Sequence, residues 1–230
     1  MDNFLIISDL QIPFEHHDAL AFCKYIKKHY SIPEENIICA GDEVDHYYGS
    51  LYKKDPNATV TANQEIAQTK DTIRKWYSAF PLMKVANSNH QQRWMKKFTD
   101  AEIPSQLMRS YQELIEAPPG WKWADKWRIK TKHPFIVEHG TSYSGVSGHR
   151  TAAILNGCST VIGHLHSFAG IDHIKTQGQE IWAANSGCLI DPQAFAFHYN
   201  KNDRFHPTVG TLVVIDNGRW PMWIPICSTK

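Results

Sequence analysis

The sequence predicts a layered α/β sandwich, in which two packed β-sheets are flanked by helices. In the first third of the chain, short apolar runs typical of buried strands alternate with longer amphipathic stretches typical of helices. The order there is βαβαβ, whereas the part from Trp121 onward consists mostly of strand-like runs separated by turns. Because sheets and helices each bury an apolar face against another layer, this order favours two packed sheets with helices outside them.

Three strands and two helices are predicted before residue 90. The strand segments are FLIIS at 4–8, NIICAG at 36–41 and LMKVAN at 82–87. A helix is predicted over 17–30, where apolar residues have the spacing of one helical face. A second helix is predicted over 63–80, because apolar residues recur near a helical period and Pro81 then stops it.

Helical but irregular sequence at about 91–119 predicts an insertion that caps one edge of a sheet. The strand-like segments after it are WKWADKWRIKTKHPFIVEHG at 121–140, STVIGHLH at 159–166, EIWAANSG at 180–187 and TLVVID at 211–216, with GRWPMWIP at 218–225 as an edge strand or closing core. One helix is predicted near 149–155. No linker or repeat divides the chain, so residues 1–230 are expected to form one domain.

The composition limits the classes of function. A formal net charge of +1 gives no overall attraction to nucleic acid or anionic membrane, so affinity for phosphate must come from a local patch or a metal. Five cysteines without a CxxC pair fit reduced thiols in a cytosolic protein. The apolar run near the N-terminus is too short for a signal peptide or a membrane span. We therefore expect a cytoplasmic protein with no membrane partner and no obligate protein partner.

Residues of metal-binding type follow five of the predicted strands. They are Asp9 and Gln11, Asp42 and Asp45, Asn89 and His90, His139, and His164 and His166. The carboxyl ends of parallel strands meet in one crevice, so these side chains are expected to converge. Each alone has an ordinary explanation, since Asp or Asn after a strand is commonly a turn residue or a helix cap. The joint pattern, with Gly or Ser beside most of the ligand types, indicates a metal site.

Five short motifs carry these residues in a fixed order. They are DLQ at 9–11, GDEVD at 41–45, SNHQ at 88–91, HG at 139–140 and GHLH at 163–166. The series resembles the signature of the calcineurin-like metallophosphoesterase superfamily, which runs DxH, GDxxD, GNH with a following acid, a lone His often before Gly, and GHxH. The resemblance covers about residues 4–166. It implies a four-layer α/β/β/α sandwich of two mixed sheets flanked by helices, and a metal-dependent phosphoesterase.

The resemblance implies a dinuclear site in which one carboxylate bridges two divalent ions. One ion would take Asp9, Asp42 and His166 with Gln11 nearby, and the other would take Asp42, Asn89, His139 and His164. Mixed oxygen and imidazole ligands suit Mn²⁺, Fe or Zn²⁺ better than Ca²⁺ or Mg²⁺. We expect Mn²⁺, with Fe, Zn²⁺ or Mg²⁺ as alternatives.

His90 and Asp42 are the expected catalytic residues. The resemblance places His90 over the metals without binding them, where it would stabilise phosphoryl oxygens or protonate the leaving group. Two cations that share a carboxylate can activate a bridging hydroxide and clamp the attacking and leaving oxygens of a displacement at phosphorus. Asp45 would support the site from outside, and a structural salt bridge explains it nearly as well.

Three positions depart from the family signature. Gln11 stands where the family has His, and its amide oxygen either binds the first ion more weakly or faces a water or the substrate. Ser88 stands where the family has Gly, which costs about 1 kcal/mol only if the position needs a positive φ. Gln91 replaces an acid, so it can still donate a hydrogen bond but supplies less electrostatic support.

Basic residues after His90 give the substrate expectation. Arg93, Lys96 and Lys97 follow this histidine, with Trp94 among them. A basic and aromatic segment favours a phosphodiester substrate of nucleotide or nucleic-acid type, whereas a solvated helix face explains it without any ligand.

Two other groups have both a substrate interpretation and a structural one. His149 and Arg150 open a predicted helix and can meet a substrate phosphate at its N-terminus, although an ordinary capped helix is the simpler explanation. Trp121, Trp123 and Trp127 alternate with basic residues as in a base-stacking platform, but packing against the sheet is favoured.

Alternative functions remain open at this point. The same family contains phosphomonoesterases and protein phosphatases, and a phosphoesterase-like domain can also bind a partner without catalysis. The His17–Asp18 pair suggests the helical HD phosphohydrolases, but the ligand types here follow strands rather than helices. The HxHxDH pattern of metallo-β-lactamase-type hydrolases is absent, since Ser167 and Phe168 follow His166.

Overall fold

Eleven strands form in the computed structural model, which describes residues 1–50, 60–175, 177–194 and 206–226. They are β1 Phe4–Ile7, β2 Ile37–Cys39, β3 Met83–Ala86, β4 Trp121–Ala124, β5 Lys126–Ile129, β6 Phe135–Glu138, β7 Ser159–Ile162, β8 Ala169–Lys175, β9 Glu180–Ser186, β10 Gly210–Ile215 and β11 Trp220–Pro225.

The strands form two mixed sheets. The six-stranded sheet has the order β11-β10-β1-β2-β3-β4, in which β1 to β4 pair in parallel and β10 pairs antiparallel with both β1 and β11. The five-stranded sheet has the order β5-β6-β7-β9-β8, with β6, β7 and β9 parallel and an antiparallel strand at each edge. Each sheet therefore presents a row of parallel carboxyl ends, where ligands of α/β proteins bind.

The described helices differ in length, and some of them have recognisable end signals. They are α1 Ala19–His29, α2 Ala62–Ala79, α3 Gln92–Asp100, α4 Tyr111–Leu114 and α5 Gly148–Asn156, with 3₁₀ turns at Glu34–Asn36, Tyr47–Gly49 and Ser105–Leu107. Thr61 and Gln64 form a capping box at the start of α2. Gly157 ends α5 in a left-handed conformation with φ 59°.

Apolar clusters separate four layers. Leu5 on β1 packs in one cluster with residues of α1 and α2. Its neighbour Ile6 lies on the opposite face of the strand and packs with Val137 of the five-stranded sheet. On the outer side of that sheet, Ala153 of α5 packs with Ile181. The layers thus run helix, sheet, sheet, helix, which confirms the predicted α/β sandwich.

Most predicted elements form near their expected bounds, with one omission. Strand β8 was not expected from the sequence. In the structure only Ile174 of this strand is buried, so it lacks the apolar alternation of a strand with one buried face. The segment 91–119 contains α3 and α4, so its helical character is as predicted. Its role as a cap and the single-domain organisation remain predictions.

The tryptophans that suggested a stacking platform are packed against the sheets instead. Trp121 is buried and donates its indole N–H to the carbonyl of Phe80 at 2.8 Å. Trp127 is half-buried and donates to the carbonyl of Val85 at 2.8 Å. The packing interpretation therefore accounts for both residues.

Two further expectations concern membrane crossing and the cysteines. Within the described ranges, none of the helices combines the length and the apolar character that a membrane crossing requires. The cysteines at 23, 39, 158 and 188 are free, buried thiols. Cys227 lies outside the described residues.

Candidate metal centre

The ends of five strands bring the predicted ligands to one place. Asp9 follows β1, Asp42 follows β2 and Asn89 follows β3 in the six-stranded sheet. His139 follows β6 in the other sheet, and His164 comes soon after β7. Since the two sheets are packed face to face, their parallel carboxyl ends deliver ligands from both layers to the same edge.

Four of the predicted ligands have left-handed backbone conformations. The φ angle is 49° at Asp9, 48° at Gln11, 51° at Asp42 and 69° at His164. Residues with a Cβ atom rarely adopt this region, and they keep it only where the surroundings require it. The amide of Asp9 donates to the carbonyl of Gly41 at 3.0 Å, which helps to hold the turn. Such clustering of strained residues is typical of functional sites.

Two motif glycines are required by close contacts with ligands. A Cβ atom at Gly41, whose φ is 100°, would lie 2.7 Å from Nδ1 of His139. A Cβ atom at Gly163 would lie 2.5 Å from Oδ2 of Asp9. Any side chain at either position would therefore displace a ligand.

The first ligand group contains Asp9, Asp42 and His166, whose ligand atoms lie within 4.8 Å of one another. Nε2 of His166 lies 2.9 Å from Oδ1 of Asp9. The Gln11 amide lies 3.1 Å from the same ring nitrogen, and its Oε1 is buried without a hydrogen-bond partner among the described residues. Gln11 therefore stands beside this group with a free acceptor atom.

The second ligand group contains Asp42, His139 and His164, again with ligand atoms within 4.8 Å. Nδ1 of His139 is 2.9 Å from the carbonyl of Ala40, to which it can donate. This contact leaves Nε2 free as a ligand atom. Nε2 lies 3.2 Å from Oδ2 of Asp42 and 2.9 Å from Oδ1 of Asn89. The amide oxygen of Asn89 thus completes this group.

Asp42 belongs to both groups. It is 1% exposed, and its Oδ2 has no hydrogen-bond partner in the described part of the chain, although two imidazoles lie within 3.5 Å. A buried carboxylate oxygen is costly unless a cation faces it, and either the protonated ring of His139 or a metal ion can supply that charge. The donor set and the free atoms of Asp42 and Gln11 therefore fit metal ions.

Carboxylates and imidazoles hold each other in charged forms at this site. Burial alone would raise the pKa of Asp42, but the imidazoles of His139 and His90 outweigh it and hold the pKa well below its usual value. Burial alone would lower the pKa of His139, yet the Asp42 carboxylate raises it to about 9. In the same way, the pKa of Asp9 is lowered and that of His166 is raised against the effect of burial.

His90 lies at the edge of the two groups and contacts other side chains. Its Nδ1 is 3.0 Å from Oδ1 of Asp45, and its Nε2 is 3.5 Å from Oδ2 of Asp42. The guanidinium of Arg93 pairs with Oδ1 of Asp45 at 2.7 Å and also lies against Nε2 of His90. Asp45 therefore pairs with Arg93 and lies next to the His90 ring, and its supporting role stays a prediction.

The structure does not bring His149 and Arg150 into contact with the ligand groups. Nε2 of His149 lies 3.1 Å from Oδ2 of Asp172 on β8, and the ring lies tilted against that of Phe168 with 5.3 Å between the ring centroids. Arg150 is half exposed, with its Nη1 3.8 Å from the same carboxylate. These contacts place both residues beside Asp172 rather than at the ligand groups, and their role towards a substrate stays a prediction.

The remaining expectations concern Ser88 and the basic segment after His90. Ser88 is not among the residues with positive φ in the described part of the chain, so its replacement of glycine carries no backbone strain. Lys96 and Lys97 are exposed on α3, whereas Arg93 is largely buried. The side chain of Trp94 lies outside the described residues.

Sequence reasoning missed Glu43, which stands inside the GDEVD motif. Glu43 is fully buried and accepts hydrogen bonds from Gln91, Tyr111 and Trp123. Burial raises the pKa of this carboxyl group, although the three donors partly offset the effect. The sequence signal for Glu43 was a third acidic residue between Asp42 and Asp45 in the motif.

A third group of potential ligands lies at the start of α1. His16, His17 and Asp18 follow one another in sequence, and the last two are exposed. The rings of His16 and His17 stack with 4.4 Å between their centroids, and Asp18 is the N-cap residue of the helix. This group shares no residue with the other two, and it has the appearance of an ordinary exposed helix start.

Comparison with known proteins gives no further identification. No model of a protein family matches the chain, and no curated protein matches its sequence.

Proposed function

We propose that this protein is a metal-dependent phosphoesterase of the calcineurin-like metallophosphoesterase type. The observation that carries the proposal is that two ligand groups share the buried carboxylate of Asp42. A shared carboxylate holds two cations close enough to act together on one phosphoryl group. The five motifs in order and the layered α/β fold support the same class.

The ligand groups define which residues would hold the ions. Asp9, Asp42 and His166 would hold the first, with Gln11 beside them, and Asp42, Asn89, His139 and His164 would hold the second. The bound ions would lower the pKa of a water nucleophile and stabilise negative charge on phosphoryl oxygens. Mixed oxygen and nitrogen donors favour Mn²⁺, with Fe, Zn²⁺ and Mg²⁺ as alternatives.

His90 is positioned to act on the substrate rather than on the ions. Nδ1 of His90 lies 3.0 Å from Oδ1 of Asp45, and Nε2 lies 3.5 Å from Oδ2 of Asp42. The Arg93 guanidinium, which can only donate, lies against Nε2. The histidine would therefore act on a phosphoryl oxygen or the leaving group once Arg93 turns from Nε2 to the substrate. Arg93 adds a largely buried positive charge next to it, where negative charge of a phosphate ester would lie.

We favour a phosphodiester of nucleotide or nucleic-acid type as the substrate. The support for this class is the largely buried positive charge of Arg93 beside His90. A cavity of about 550 Å³ near loop 88–91 is lined by none of the proposed metal ligands, so it is not assigned to the substrate. A phosphomonoesterase, a protein phosphatase and a non-catalytic binding module are the alternatives.

Hydrolysis of two model substrates tests this proposal. Purified protein is assayed with bis(p-nitrophenyl) phosphate and with p-nitrophenyl phosphate, with chelator and with added Mn²⁺. We expect turnover of the diester that chelator abolishes and Mn²⁺ restores. Turnover of the monoester alone would redirect the substrate to the phosphatase class. No turnover of either, with no metal bound, would contradict the proposal and favour the binding module.

Replacing Gln11 by histidine is expected to tighten binding of the first ion. Imidazole is a stronger ligand than an amide oxygen, and we expect a gain on the order of 10-fold, similar to the smaller effects of changes around metal sites. Calorimetric titration of the ion-free protein with Mn²⁺ measures the affinities of both ions. The second ion serves as the internal control, and an unchanged first ion would show that Gln11 is not a ligand.

Metal binding at neutral pH is expected to release protons. Because the pKa of His139 is raised to about 9, its imidazole is protonated in the ion-free protein at pH 7 and must lose a proton to bind an ion. The apparent Mn²⁺ affinity should therefore rise with pH up to about 9. Titrations in two buffers with different ionisation enthalpies count the protons, and the absence of release at pH 7 would argue against His139 as a ligand.

A further inference from the structure

The carboxylate of Glu43 is the central acceptor of a buried hydrogen-bond group beside the ligand groups. Glu43 follows Asp42 directly and is 0% exposed. Its Oε1 accepts from the Tyr111 hydroxyl at 2.8 Å and from the Trp123 indole at 2.9 Å. The side-chain amide of Gln91 lies 3.0 Å from Oε1 and 3.3 Å from Oε2. These donors compensate the carboxylate for its loss of water.

The orientation of the Gln91 amide is fixed by its two neighbours. Its Oε1 accepts a hydrogen bond from the backbone N–H of Ser88 at 3.1 Å. Its Nε2 then faces Glu43, which can only accept when ionised. Gln91 is 8% exposed, so water does not readily replace either contact. The amide therefore connects loop 88–91 to the residue next to Asp42.

The hydrogen bonds of the Gln91 side chain help to set the positions of Asn89 and His90. Asn89 and His90 lie between Ser88 and Gln91, so both ends of their short loop are held by the Gln91 side chain. The backbone N–H of His90 also donates to Oδ1 of Asp42 at 3.2 Å. The loop is thus placed against the shared carboxylate from two sides.

We propose that Glu43 and Gln91 act as a matched positioning pair that sets Asn89 and His90 relative to Asp42. The inference rests on the proposed function, because it treats Asn89 as a ligand of the second ion. Neither residue of the pair belongs to either ligand group. Their effect on metal binding passes through the loop, and small displacements of ligands or of the residues that orient them weaken metal sites.

The hydrogen-bond pattern predicts that the two residues can be exchanged only together. Gln91→Glu alone would set two buried carboxylates against each other. Glu43→Gln alone would set an amide N–H₂ against the Gln91 amide, or turn that amide away from Ser88. In the double variant, residue 91 accepts from Ser88 and from the new amide, while residue 43 still accepts from Tyr111 and Trp123. Every partner in the group is then satisfied again, and only the hydrogen bond between residues 43 and 91 has its polarity reversed.

A double-mutant cycle with Mn²⁺ as the probe tests the pair. The affinities of both ions are measured by calorimetry for the wild type, Gln91→Glu, Glu43→Gln and the double variant, together with the thermal midpoint in chelator. We expect each single variant to lose 10 to 100-fold, as a rough range, at the second ion and little at the first. The double variant should recover most of this loss, so the effects should be strongly non-additive.

Several outcomes would overturn the inference. Single variants that bind the second ion as the wild type does would show that the pair does not position its ligand. A double variant as defective as the two losses combined would show that the residues are not matched. A wild type that binds no ion would overturn the proposed function and the inference with it, which distinguishes the two failures.

A milder variant covers the case in which a single exchange prevents folding. Gln91→Ala removes the bridge to Ser88 but leaves Tyr111 and Trp123 as donors to Glu43. It should therefore fold and still lose affinity selectively at the second ion. Gln112→Ala, at an exposed glutamine of α4, is the matched control and should bind both ions normally. Equal binding by the two alanine variants would contradict the positioning role.

Discussion

Replacing Asp42 by asparagine is expected to abolish metal-dependent hydrolysis of bis(p-nitrophenyl) phosphate. Asp42 is the residue common to both ligand groups, so the change removes a charged ligand from two ions at once. The loss should be on the order of 1,000-fold or more, beyond the 10 to 100-fold that a lost outer partner costs. Steady-state kinetics at saturating Mn²⁺, with metal content measured in parallel, gives both quantities.

The control for this variant is an aspartate of the same chemistry away from the site. Asp71 on α2 is 76% exposed and pairs with Arg74 on the same helix. Asp71→Asn should keep wild-type activity and metal content, because exposed pairs of this kind contribute little. If Asp42→Asn kept its activity, Asp42 would not bridge the ions and the proposed site would be wrong.

Replacing His90 by alanine is expected to lower the rate without removing the metal. The ring lies against Asp45 and Arg93 and is not part of either ligand group. Loss of a residue that donates a proton or a hydrogen bond to the reacting group typically costs about 10²- to 10⁴-fold. We therefore expect a kcat lowered within this range and two bound ions per chain, measured by kinetics and elemental analysis.

The contrast between the two variants separates ligands from substrate-facing residues. His29→Ala, at an exposed histidine near the end of α1, controls for the loss of an imidazole and should have no effect. A His90→Ala protein that lost one ion would show that His90 is a ligand. The role proposed for it would then have to pass to another group.

The strand ends were the part of the site that sequence could predict. Asp9, Asp42 and His139 were expected to meet because residues after parallel strands share one edge of a sheet, and the fold places them there. That inference needs only the strand pattern and the residue types. It does not depend on any long-range packing detail.

The surroundings of the ligands could not be predicted in this way. Glu43 is separated from Gln91 by 48 positions and from Tyr111 by 68, so only the folded chain shows that they are partners. His149 suggested a substrate contact from its place at a helix start, but its partner Asp172 lies on β8, which had no clear strand pattern. These contacts arise from tertiary packing, which a local pattern does not encode.

Backbone strain at the site is a second feature beyond sequence reasoning. Asp9, Gln11 and Asp42 carry no glycine-like signal, yet each has a positive φ. The conformation is imposed by the interlocking turns after β1 and β2. There the backbone N–H of Gln11 donates to the backbone carbonyl of Asp42 at 2.9 Å. Only the neighbouring Gly41 indicated an unusual backbone from its residue type.

The number and coupling of bound Mn²⁺ ions test the central claim most directly. Ion-free protein is titrated with Mn²⁺ and followed by electron paramagnetic resonance, in which ions that share a bridging ligand give an exchange-coupled spectrum. The account predicts two ions per chain with a coupled signal that Asp42→Asn eliminates. A single bound ion, or two ions that give only the six-line spectrum of isolated Mn²⁺, would contradict a site in which Asp42 joins the two groups.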